Sequence, residues 1–156
     1  YVFDFWGLGV RTSASGQLLM KATGGWLPVS GVSLLPNVDY MFVITRHDTD
    51  GDAFWIHDAE VTRLDDSTVQ SGSCAGMQID FLITGNMPYK ISDASQHFLS
   101  KSGVLGAFFL FESISADDAT LCKNWITERY GAAASSEDST APVENATFFV
   151  ELDINK

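Results

Sequence analysis

Short apolar runs, most of them alternating in the manner of strands, succeed one another along this chain between glycine, proline and aspartate breaks. Tyr1 to Trp6 is apolar on both alternate faces and predicts a strand covered on both sides; Gly7 and Gly9 then permit a bend or bulge. Gln17 to Lys21 reads as a strand closed by Gly24 and Gly25. Trp26 to Leu35 is interrupted by Pro28 and Gly31, with Pro36 behind it. Tyr40 to Arg46 is the strongest strand pattern. The Asp-Gly pair in Asp48-Thr49-Asp50-Gly51 signals a hairpin returning along Ala53 to Leu64. On that return strand Phe54, Ile56 and Asp58 alternate with Trp55, His57 and Ala59. Met77 to Thr84 places Met77, Ile79, Phe81 and Ile83 on one side. Gly103 to Ser113 reads as a central strand, and Thr147 to Ile154 as a closing one.

Helical spacing occurs twice. Ser92 caps a short predicted helix over 93–102, with Gly103 at its end. Ser115-Ala116-Asp117-Asp118 resembles a capping box, and Leu121, Cys122, Trp125, Ile126 and Tyr130 form one apolar stripe before Gly131. A helix over 116–130 follows. Residues 132–145 are small and polar and read as an exposed, mobile loop. Strands at short spacing without βαβ alternation predict a mainly-β domain over 1–156. The expected form is an antiparallel β-sandwich or barrel-like sandwich, with one or two short helices across an end or edge.

Composition narrows the partners. The chain has 156 residues and is 46% hydrophobic, enough for one sizeable core. Asp and Glu number 20 against 9 Lys and Arg, a formal charge of −11. The basic residues are scattered singly, which argues against nucleic acid and against an anionic membrane surface. The longest apolar run, Val104 to Phe111, is far short of the roughly 20 residues a membrane helix needs. Cys74 lies in a small-residue stretch, Gln70 to Gly76, predicted as a loop, and Cys122 on the second helix. We expect them to form a disulfide worth about 4 kcal/mol, which would place the protein in an oxidising, extracellular setting. A start at Tyr1 without Met fits either a removed signal peptide or a trimmed chain, and Asn145-Ala146-Thr147 matches a glycosylation acceptor.

Chemistry has few places to sit. Asp48, Asp50 and Asp52 match the first, third and fifth ligand positions of an EF-hand loop. Ala53 and Ala59 stand where that loop needs Gly and Glu, so the expectation is a looser calcium site in a β-hairpin or a solvated turn. His47 and His57 flank the turn and, with Asp48 or Asp58, are candidate zinc or copper ligands. Gly72-Ser73-Cys74-Ala75-Gly76 spells a nucleophile elbow with Cys, but the strand-like segment after it denies the required helix. Asp58/Glu60 and Asp65/Asp66 are candidate carboxylate pairs for general acid–base work. Trp6, Trp26, Trp55 and Tyr40 are candidate stacking surfaces for sugars. Trp55 is the best of them, with His57 on its face and the Asp-rich turn beside it.

With no catalytic constellation in view, the leading expectation is a secreted, non-catalytic binding module for carbohydrate or another extracellular ligand. Its ligand-binding residues would be Trp55, His57 and Tyr40. The alternatives are a structural or assembly subunit of a surface or capsid-like array, which would form homo-oligomers, and a small secreted hydrolase using carboxylate or metal chemistry. A hydrophobic-ligand carrier, with Phe lining a barrel, ranks below these.

Overall fold

The computed structural model describes residues 3–5, 8–22, 25–48, 55–77, 106–111, 113–132, 140–146 and 148–151. Strands β1 (Phe3–Phe5), β2 (Leu8–Thr12), β3 (Gln17–Ala22) and β4 (Gly25–Ser33) form an antiparallel sheet in chain order. A second antiparallel sheet joins β5 (Tyr40–Asp48), β6 (Trp55–Arg63) and β7 (Val69–Met77). Helix α1 (Ala116–Tyr130) lies between β8 (Ala107–Leu110) and β9 (Phe148–Glu151) in the chain, and those two strands pair. The chain is mainly β, as its alternation predicts.

One core is shared by the two larger sheets. Val10 of β2, Leu18 and Met20 of β3, Val29 and Val32 of β4 and the adjoining Leu34 meet Ala59 and Val61 of β6 and Cys74 of β7. Tyr40, Phe42 and Ile44 of β5 pack against this cluster half-buried. Each large apolar side chain so enclosed is worth about 1.5–3 kcal/mol, so joint burial is what holds the sheets face to face.

The predicted interruption at Pro28 and Gly31 turns out to be a change of direction within one strand. β4 continues through Pro28, which is exposed and opposite Leu19; as the last strand of its sheet, it tolerates the missing N–H. Beyond that point Ser33 stands opposite Gln17, so Leu18 alone on β3 faces residues 29–32 on β4. The surplus is absorbed around Gly31, whose φ of 84° suits glycine, and it carries the end of β4 onto β7. There the Ser33 N–H donates to Gln70 Oε1 at 2.8 Å, and Gln70 Nε2 donates to the Ser33 carbonyl at 3.0 Å. Gly72 lies so close to the Ser30 carbonyl and the Val29 side chain that a Cβ there would overlap both. This contact corrects the expectation of a loop at Gln70 to Gly76. The stretch is strand β7, and its small residues are the ones β4 can approach.

Helix α1 begins and ends where its caps predict. Ser115 Oγ accepts from the Asp118 N–H at 3.1 Å and donates to Asp118 Oδ2 at 2.8 Å, and the Gly131 N–H donates to the Thr127 carbonyl. Its buried stripe is narrower than predicted: Cys122 and Trp125 are enclosed, whereas Leu121 is 55% exposed. Trp125 meets Phe109, Phe149 and Tyr130 edge-on at centroid distances of 5.5, 6.0 and 6.2 Å, which joins the helix to β8 and β9. The predicted helix over 93–102, and the strand predicted over Met77 to Thr84 beyond its first residue, which ends β7, lie outside the described residues. Among the described residues β8 pairs with β9. Of the predicted loop, 133–139 lie outside the described residues, while Pro142 rests against α1 through its carbonyl, 3.7 Å from Cys122 Sγ.

Gly72→Ala is expected to destabilise the fold by about 1–3 kcal/mol, because the added methyl meets backbone that cannot retreat without opening the seam. Urea denaturation would show this as a lowered midpoint at unchanged slope.

Candidate functional site

The outward face of the β5–β6–β7 sheet carries a different chemistry from its core face. Strand register sets Thr45, Asp58 and Ser73 in one row across the sheet, and Val43, Glu60 and Ser71 in the next. Above these rows opens a hollow of about 780 Å³, walled by Ser30 and Gly31 of β4 on one side and by Ile114, Ala119 and Lys123 of the helix region on another. Ala119 and Lys123 stand one turn apart on α1 and so share a face. The small Ala119 leaves room, and Lys123 Nζ reaches across to Glu60 Oε1 at 2.6 Å. The volume is that of an ordinary small-ligand site. Its polar groups are hydroxyls that both donate and accept, carboxylates that accept, and one ammonium that donates.

Trp55, His57 and Tyr40 occupy different places in the second sheet. His57 lies in the row Arg46–His57–Cys74 and is buried between the sheets, 1% exposed. Trp55 pairs with Asp48 and Met77 at the end of β6. Tyr40, eight positions from Asp48 along β5, is roughly 27 Å from that end. The Tyr40 hydroxyl accepts from the Leu35 N–H at 2.8 Å, which ties it to the β4–β5 connection. Asp48 closes β5, while Asp50 and Asp52 lie outside the described residues. His47 pairs with Ile56 and Arg46 with His57, so positions 47 and 57 belong to opposite faces of the hairpin. Among the described residues no three His, Cys, Asp or Glu side chains gather as metal ligands.

Of the two carboxylate pairs, Asp65 and Asp66 are committed to one turn. Arg63 donates to both oxygens of Asp65 at 2.9 and 2.6 Å and lies 3.2 Å from Asp66, and the Arg63 hydrogen bond holds the Asp65 carboxyl below its ordinary value. Asp58 and Glu60 do open on the hollow. The hydroxyls of Thr45, Ser71 and Ser73 were not among the sequence candidates. Their signal was Ser at alternate positions 71 and 73, a polar face on a strand mistaken for a loop.

The expected disulfide is not formed: Cys74 and Cys122 are not joined, and both are buried. Alternation explains this. Cys74 belongs to the core face of β7 with His57, while Cys122 rides on the helix that borders the opposite face. A disulfide needs Cα atoms about 4.4–6.8 Å apart, and here a sheet intervenes. Burial raises the pKa of Cys74, and burial with the nearby Asp118 carboxylate raises that of Cys122. Both are therefore neutral thiols at neutral pH, the opposite of what a nucleophile needs, although Cys74 stands beside an imidazole.

No protein-family model, curated protein or solved structure matches this chain.

The raised thiol values carry a sign. Below the ordinary thiol pKa both folded and unfolded states hold the proton, so the thiols contribute no pH dependence. Above it the unfolded chain ionises first and is favoured, so stability falls as pH rises toward the folded-state values. Denaturant midpoints are expected to decline as pH rises above about 8.5, the ordinary thiol value, and Cys74→Ala with Cys122→Ala should flatten that decline. Intact mass should be the same with and without reductant.

Proposed function

We propose that this chain is a non-catalytic binding module for carbohydrate, taken up in the hollow over the Thr45–Asp58–Ser73 and Val43–Glu60–Ser71 rows. The observation that carries the reading is the lining itself: hydroxyls and carboxylates set at strand spacing on a sheet, with the small Ser30, Gly31 and Ala119 among the walls, in a volume suited to a few sugar units. Sugar hydroxyls both donate and accept, and such a floor answers them in both senses. An extracellular setting is part of the proposal, as the place where polysaccharide is met; two cysteines not joined to each other lend it nothing. This reading sets the site over Asp58 and Glu60 rather than at the end of β6, where Trp55 pairs with Asp48 and Met77.

Screening on a glycan array, followed by calorimetry on the best oligosaccharide, tests this. Thr45→Val with Ser73→Val is expected to weaken binding about tenfold, from two lost hydrogen bonds of roughly 0.5–1.5 kcal/mol each, with the thermal midpoint little changed. Undiminished affinity in that variant would remove the hollow from the site, and loss in Trp55→Ala instead would return it to the hairpin end. Release of new reducing ends would favour the hydrolase, since Asp58 and Glu60 open on the same space.

A further inference from the structure

Resting on the carbohydrate reading, we infer that Lys123 decides the charge class of the ligand: by holding Glu60 across the hollow, it reserves the site for uncharged glycans. The pair is made between two elements, with Lys123 on α1 and Glu60 on β6, and the Nζ–Oε1 distance is 2.6 Å. Both side chains line the hollow and remain about one-third exposed, at 35% and 37%, so a ligand entering there meets the pair directly.

A ligand amine can reach the outer lone pairs of Glu60 only beside the like charge of Lys123, and gains the whole carboxylate only by displacing that tethered ammonium. A competitor attached to the same chain acts at an effective concentration of order millimolar, so the amine binds at a disadvantage. A ligand carboxylate that accepts from another Lys123 N–H lies beside the like charge of Glu60, and one that takes the ammonium whole must separate the pair, on a protein of net charge −11. A neutral glycan need break nothing. It donates hydroxyl protons to the outer lone pairs of Glu60 and exchanges hydrogen bonds with Ser71. Lys123 is thus a specificity-determining residue, and its effect acts against charged ligands more than in favour of neutral ones.

Calorimetry at about 0.15 M salt, where long-range attraction is screened, would compare cellohexaose, a glucosamine hexamer and a galacturonate hexamer. Lys123→Gln is expected to gain about tenfold for the glucosamine hexamer by releasing a carboxylate for a charge-assisted bond, while Lys123→Arg stays like the parent. Glu60→Gln, the independent variant, is expected to gain for the galacturonate hexamer through the released ammonium. Neither gain appearing, with cellohexaose still bound, overturns the inference and leaves the carbohydrate reading in place. No binding of any of the three probes by the parent or the variants overturns both.

Discussion

Everything in the larger part of this fold hangs on how closely β4 can come to β7. Val29 to Ser33 passes over β7 at a distance that leaves no space for a side chain at Gly72 and little at Gly31, where a Cβ would stand 2.9 Å from the Ser71 carbonyl. That approach brings the first sheet over the second and lets Val29 and Val32 reach the same core as Ala59, Val61 and Cys74. It also sets Ser30 and Gly31 at the rim of the outer face, where they become a wall of the hollow. Interior and candidate site therefore have a common geometric origin. A bulkier residue in the seam would loosen the packing and displace the wall together.

The β5–β6–β7 sheet divides two chemistries by the period of the strand alone. One face gives the core its aliphatic and aromatic cover and hides His57 and Cys74. The other presents hydroxyls and carboxylates to solvent. Helix α1 is held at the border of that polar face by unlike means: an aromatic cluster about Trp125 on one side and the Lys123–Glu60 ion pair on the other. Half-exposed ion pairs contribute little to stability, about 0–1 kcal/mol. Its weight falls instead on what the hollow will accept.

Strands β3, β5 and β6, helix α1 and its caps were legible in the residues because each announces itself locally: alternation about Tyr40 to Arg46, Ser115 three residues before Asp118, glycine at 131. Strand β7 was not. Val69 to Met77 is rich in Gly, Ser and Ala, types that lower strand propensity when nothing packs on them. Only the crossing of β4 makes them favourable. The break in β4 misled in the same way, since Val29 and Val32 are buried three residues apart across a bulge. The site suffered most. Thr45, Ser71, Ser73 and Lys123 come from three elements and share no motif.

By itself the sequence determined the mainly-β class, the acidic character and the span of α1, because propensity, net charge and capping are properties of neighbouring residues. It could not determine the fate of the cysteines or the place of the hollow. Cys74 and Cys122 look like partners along the chain, yet register turns one inward and leaves the other with a helix on the far side of the same sheet. Which face a residue takes depends on pairing between distant strands, and that was decided only when β4, β6, β7 and α1 came together in space.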